Sequence, residues 1–170
     1  IFDMDGTMID SMAYHAQSWV TFVQRHGIVI DVDDLLRRTT GRTGAECMEV
    51  LFGRPIDKQE AWELIHEKEQ IYRDLFEPAF AEVRGFKRFC AQAHASGLRI
   101  GVGTAGDKHN IAFAMRHLQM DPLPHAIVGG DEGLPGKPEP AIFLEAARRI
   151  GADPANIAAS KVSATIKASD

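Results

Sequence analysis

Apolar residues in this chain recur at helical spacing over most of its length and collect into short strand-like runs at only a few places, the pattern of an α/β protein rich in helix. Ile1 and Phe2 read as the end of a buried parallel strand. Over 12–26, Met12, Ala16, Trp19, Val20 and Val23 share one face of a helix that Gly27 stops. A short helix is expected over 33–39, and Thr43 is placed to cap a third carrying Ala45, Met48, Leu51 and Phe52. Asp57 with Glu60 forms a box-like start for a long helix with Ala61, Ile65, Tyr72 and Phe76 on one face, ending before Pro78.

Beyond Gly85 the alternation changes. A helix with Phe86, Phe89, Cys90 and Ala93 ends at Gly97, a strand follows over 98–102, and a helix carries Ile111, Met115 and Leu118. A third strand is expected over 125–128, then a helix that Pro140 opens, with Phe143, Ala147 and Ile150 as its buried stripe and Gly151 as its stop. A fourth strand is expected over 156–159. Four helices thus stand between the first strand and the second, about 65 residues where a βαβ crossover needs a dozen or so plus its helix. The pattern predicts a Rossmann-like, doubly wound parallel α/β core over 1–11 and 82–170, with an inserted α-helical cap over 12–81. Because the chain opens inside an expected strand, a few residues are expected to precede it.

Composition narrows the partners. The 170 residues are 45% hydrophobic and 25% charged, and 19 Lys and Arg against 24 Asp and Glu give a net charge of −5. That balance disfavours a nucleic-acid or anionic-membrane surface. Cys47 and Cys90 lack metal-ligand spacing and read as small buried apolar residues. No apolar run approaches the roughly 18 residues of a membrane span. A monomer in the cytoplasm, acting on a small molecule, is the expectation.

The chemistry concentrates where the first strand ends. Asp3 and Asp5 flank Met4, and Gly6 and Thr7 suit a sharp turn at the carboxyl edge of a sheet, where open α/β folds bind ligands. Two carboxylates this close need a divalent cation or a shared proton. The second strand ends in Gly103-Thr104-Ala105-Gly106-Asp107 before a helix, a hydroxyl and backbone N–H groups suited to a phosphate oxygen. Lys137 stands in a connection rich in Gly and Pro, just ahead of the last helix.

The string DMDGT behind a hydrophobic strand, the strand ending in Thr104 and GKPEPAIF from Gly136 resemble three signature motifs of the haloacid dehalogenase superfamily, and IDSMAYH with the following Trp19 resembles its β-phosphoglucomutase-like branch. The resemblance implies Mg²⁺-dependent phosphoryl transfer from a small phosphorylated sugar or metabolite. Asp3 would be the nucleophile that becomes an aspartyl phosphate and Asp5 the general acid and base. Thr104 and Lys137 would hold the phosphoryl oxygens, and Mg²⁺ would sit between the Asp3 carboxylate, the Asp5 carbonyl and the phosphate. Gly6, Thr7, Ala105 and Gly106 would line the substrate site, with His15 and Arg42 contacting substrate from the cap side.

The resemblance fails near the carboxyl terminus. Counting on from GKP places the superfamily's last acidic pair at about Lys161 and Val162, so a cation stands where a metal-binding anion belongs. Asp131 and Glu132 are the nearby acids nominated as substitutes. Phosphatase is the expected activity, because Gly44 stands where a mutase is expected to carry a phosphate-clamping arginine. A β-phosphoglucomutase-type mutase is the alternative, and an impaired homologue that only binds ligand is the reading from another class.

Overall fold

The computed structural model describes residues 1–39, 42–153, 155 and 158. Four helices follow the first turn: α1 (Met12–Arg25), α2 (Val32–Thr39), α3 (Gly44–Phe52) and α4 (Lys58–Phe76), the last continued by a 3-10 turn at Glu77–Ala79. Then come α5 (Phe86–Ala95), β1 (Gly101–Gly103), α6 (Lys108–Leu118), β2 (Ala126–Val128) and α7 (Ala141–Arg149). β1 and β2 are parallel, with Val102 opposite Ile127, and Phe2 adds a parallel bridge to Val102 on the other side. The expected first strand is therefore a single bridging residue, its N–H on the Gly101 carbonyl and its carbonyl accepting from Gly103, each at 2.9 Å.

The other strands are shorter than their apolar runs predict, and the reason is local. Leu98 faces solvent, and the Ile100 N–H donates to the His125 ring at 3.0 Å. A side chain thus takes a bond the ladder would have used. The expected strand over 156–159 lies largely outside the described residues, as do Lys161 and Val162.

Both faces of the sheet are covered. Val102 packs with Phe86, Cys90 and Phe113 from α5 and α6, while Val128 packs with Ile142 and Ala146 of α7 and with Ile150 just past its end. This is an α/β Rossmann-like arrangement. α7 lies close because β1 presents glycine: a Cβ on Gly103 would stand 3.0 Å from the Phe143 ring and 3.3 Å from the Ile142 carbonyl. The buried stripe of α7 accordingly shifts to Ile142, Ala146 and Ala147, with Phe143 only partly covered.

The helical block has its own cluster of Trp19, Phe22, Val23, Leu35, Cys47, Met48, Leu51 and Ile71. Phe22, absent from the predicted face of α1, is fully buried, whereas Met12 is exposed. On α5, Phe89 is likewise exposed, meeting the Phe2 ring edge-on. Helix starts follow the sequence more closely. Thr43 and Glu46 form a reciprocal capping box at α3, and Asp57 accepts from the Gln59 and Glu60 amides at α4. Glu60 does not close a second box, because its carboxylate is held by both terminal nitrogens of Arg54.

Two linkers join the block to the sheet and are bonded to each other. Asp10 donates to the Ala81 carbonyl and Val83 to the Met8 carbonyl, each at 3.0 Å. α4 spans the junction, with Ile71 in the helical cluster and Tyr72 and Phe76 in the sheet-side one.

The 129–137 connection lies against the loop after β1. The Gly130 N–H donates to the Gly106 carbonyl at 2.9 Å, and a Cβ on Gly130 would come within 2.2 Å of the Ala105 carbonyl oxygen. Two backbones meet there, so neither can yield alone. Gly130→Ala is expected to lower stability by about 1–3 kcal/mol, read as a fall in the urea midpoint. An unchanged midpoint would show that the connection moves aside freely.

Candidate active site

Asp3 and Asp5 leave the end of the Phe2 bridge in different directions and find different partners. Asp3 is buried; its Oδ1 accepts from the Met4 N–H at 2.9 Å and its Oδ2 from the Lys137 ammonium at 2.6 Å. Lys137 also lies 5.1 Å from the centre of the Phe143 ring, so the ion pair is closed off on its α7 side. Gly6 makes the turn behind them at φ +71°, its N–H on the Ile9 carbonyl, and Thr7 is buried within that turn.

Asp5 faces the helical block. Its Oδ1 accepts from Ser11 Oγ at 2.7 Å and lies 3.1 Å from His15 Nε2, with the Tyr72 hydroxyl at 3.5 Å. Ser11 is the N-cap residue of α1 but makes no side-chain cap bond, since its hydroxyl goes to Asp5 instead. Burial by itself would raise the Asp5 carboxyl; His15 first, then the Ser11 hydroxyl and the Lys68 ammonium, bring it down to about 2. Burial, and then the Asp5 carboxylate, push the Tyr72 phenol upward, which keeps it a neutral hydroxyl.

His15 is stacked on Tyr72, ring centres 3.8 Å apart, and its Nδ1 lies 3.1 Å from the Lys68 ammonium. An ammonium only donates, so Nδ1 must accept and the ring hydrogen sits on Nε2, where it donates to Asp5. Lys68 is itself buried, paired with Glu69 Oε1 at 2.9 Å and 5.0 Å from the Trp19 ring.

Lys68 was not predicted, and a signal for it existed. Between Ile65 and Tyr72 it continues the apolar face of α4 at helical spacing, so a lysine there points inward. Ser11, Tyr72, Glu69, Arg73 and Asn110 were also missed as site neighbours.

Thr104 is fully buried at the end of β1, its Oγ1 accepting from the Gly106 N–H at 3.0 Å. Ala105 is exposed and lines a narrow cleft with Arg42, Thr43, Gly130, Gly136 and Lys137. The structure thus brings Arg42 to the same cleft as Lys137, while its guanidinium Nε–H donates to the Arg38 carbonyl at 2.8 Å. His15 joins Asp5 and not this cleft. Gly41, beside Arg42, lies outside the described residues.

The nominated substitute acids are occupied elsewhere. Asp131 accepts from the Lys108 N–H, and Glu132 is paired with Arg149 and accepts from the Gly129 N–H. Among the described residues no group of three or more His, Cys, Asp or Glu side chains could hold a metal ion. Mg²⁺ needs an octahedral set of oxygens, and what is described offers two carboxylates, Asp3 bound to the Lys137 ammonium and Asp5 held by Ser11 and His15. The described residues do not by themselves fit Mg²⁺.

Among the described residues no helix is long and apolar enough to cross a membrane. The chain is 32% identical over 166 residues to the β-phosphoglucomutase of Bacillus subtilis, covering 94% of this chain and 72% of that protein. It is 30% identical over 155 residues to the mitochondrial (DL)-glycerol-3-phosphatase 1 of Arabidopsis thaliana, covering 88% of this chain and 51% of that one. A hydrolase from Pseudomonas syringae superposes with a TM-score of 0.74 at 26% identity, over 89% of this chain and 69% of its own. Residues 1–159 match the model of the haloacid dehalogenase-like hydrolases, and the chain belongs to that family, in its β-phosphoglucomutase-like branch.

Proposed function

We propose that this chain is a phosphatase of a small phosphorylated sugar or metabolite, working as a monomer in the cytoplasm through a phosphoryl group carried on Asp3. The observation that carries the reading is the pair of separately held carboxylates at one strand end: Asp3 on the Lys137 ammonium, Asp5 on Ser11 and His15. One is placed as a nucleophile beside a charge that steadies phosphoryl oxygens, the other as an acid and base.

In the first step an Asp3 oxygen forms a bond to phosphorus as the bond to the leaving oxygen breaks, and that oxygen takes a proton from Asp5. In the second, Asp5 removes a proton from water, which attacks phosphorus and releases Asp3 and phosphate. Asp5 rests as a carboxylate, the form needed for the second step. For the first, substrate must displace part of the hold of Ser11 and His15 so that Asp5 carries a proton. Lys137 and the Thr104 hydroxyl hold the phosphoryl oxygens throughout, and Gly6, Thr7, Ala105 and Gly106 line their approach.

Residues 12–81 act as the cap that closes over the reacting phosphate and excludes water, its linkers being the bonded pair at Asp10 and Val83. Phosphatase is favoured over mutase because Gly44 carries no side chain to clamp a second phosphate. Its vicinity is filled by Ile65, 2.9 Å from where a Cβ would stand.

A screen of phosphorylated metabolites for phosphate release, with and without added Mg²⁺, tests the reading. Conversion of β-glucose 1-phosphate into glucose 6-phosphate without free phosphate would replace it with the mutase. Changes at Arg42 are expected to reorder preferences among sugar phosphates by about tenfold while altering an aryl phosphate far less, since a lost substrate contact is worth on the order of 1–3 kcal/mol, whereas changes at His15 should lower turnover on both through Asp5. Equal losses on both substrate types for Arg42 variants would rule out its specificity role.

A further inference from the structure

A line of bonded polar side chains, with Lys68, Arg73 and Asn110 buried and Asp5, His15 and Glu69 partly covered, runs from Asp5 across the boundary between the helical block and the sheet side. Lys68 Nζ contacts His15 on one side and Glu69 Oε1 on the other, and Glu69 Oε2 accepts from Asn110 Nδ2 at 2.6 Å. Asn110 Oδ1 accepts from Arg73 Nη1 at 2.7 Å, and Arg73 Nη2 donates to Gln70 Oε1 at 2.8 Å. Glu69 and Arg73 lie one turn apart on α4, while Asn110 is on α6, 2% exposed, its N–H fixed to Asp107. One amide of the sheet side is therefore gripped by two charged groups of the cap helix.

The chemistry of the three partners fixes the orientation. A carboxylate only accepts and a guanidinium only donates, so the Asn110 NH₂ must face Glu69 and its oxygen must face Arg73. An aspartate would offer acceptors to both, and an aliphatic residue would offer nothing. Both contacts are charge-assisted, and the one to Arg73 is buried and the one to Glu69 partly so, which makes them stronger than exposed ones. Lys68 shares α4 with Glu69 and Arg73, so its reach to His15 depends on where that helix is held.

We propose that Asn110 is a positioning residue: its carboxamide locks cap helix α4 in the register that brings Lys68 to His15, and so places the His15 hydrogen on Asp5. The proposal rests on the phosphatase reading for what Asp5 does, but the register of α4 is a separate physical quantity. Asn110 touches neither Asp3 nor Asp5 and acts only through α4.

The test uses the full chain with Trp62→Phe, which leaves Trp19, 5.0 Å from Lys68, as the single tryptophan. Asn110→Asp keeps the shape but sets two carboxylates against each other. Adding Glu69→Gln restores a donor facing residue 110 and an acceptor facing Lys68. With p-nitrophenyl phosphate, Asn110→Asp is expected to lower kcat by about 10- to 100-fold, the scale of a small misplacement of a catalytic group, and to shift Trp19 emission to the red. The double variant should return kcat to within about threefold of the parent, because the complementary pairing is back, and should restore the emission. A kcat for Asn110→Asp within that margin, or a double variant no better than the single, overturns the proposal. If Asn110→Asp fails to fold, recovery of the fold in the double variant is the same rescue, and failure of both overturns it. Should the parent release no phosphate from any monoester, the phosphatase reading fails. The emission then decides the latch alone: unchanged Trp19 fluorescence in Asn110→Asp sinks it.

Discussion

Asp3→Asn is expected to remove phosphate release while leaving the chain folded. The amide matches the carboxylate in shape but has one oxygen, so it can accept from the Lys137 ammonium or from the Met4 N–H, which Asp3 holds on separate oxygens at 2.6 Å and 2.9 Å, and not from both. What disappears is the anionic oxygen that bonds to phosphorus. Losing a nucleophile costs on the order of 10⁴–10⁶ in rate, far beyond what a weakened ion pair would cause. Stability should fall by about 1–3 kcal/mol, because one of the two donors loses its acceptor while the fold around residue 3 is otherwise unchanged. The paired measurement is steady-state phosphate release beside thermal unfolding. Turnover within tenfold of the parent, or a beryllofluoride adduct found on another side chain, would remove Asp3 from the mechanism.

That prediction draws on the part of the molecule most legible in the sequence. The turn around Asp3, Asp5 and Gly6 is local: an apolar strand end, two acids and a glycine determine it within a few residues. Helix starts were legible for the same reason, as at Thr43 and Asp57, where one side chain satisfies amides two or three positions on. Lys137 is 134 positions from Asp3, and its pairing is visible in the sequence only through the motif it belongs to.

What stayed hidden depends on which face of a helix meets which neighbour. Glu69 and Arg73 look like solvated charges because helices carry such residues on their outer face, and only the placement of α6 beside α4 turns them inward onto Asn110. Met12 and Phe22 were misassigned on α1 because an apolar stripe wider than the true contact fits two registers, and tertiary packing picks one. The strands were overestimated because an apolar run signals burial, whereas pairing needs a partner at each step, and His125 displaces one at Ile100.

Lys137→Ala is expected to lower kcat/KM on a phosphorylated substrate by about a hundredfold, the cost of one preorganised charge contact worth on the order of 3 kcal/mol. Its side chain is only 9% exposed and Asp3's 13%, so the ammonium acts at low dielectric and faces little competition from water. The same burial means the change should also destabilise the fold, by up to about 3 kcal/mol, since Asp3 is left without its partner. Lys137→Met separates the two consequences of losing the side chain. It keeps the aliphatic stem against Phe143 and removes only the charge, so it should recover packing and part of the unfolding temperature but none of the rate. Assays well below both unfolding transitions would then read chemistry alone. If either variant changes kcat/KM by less than about threefold, well short of an electrostatic contribution, Lys137 serves to seat Asp3 and takes no part in stabilising the phosphoryl group.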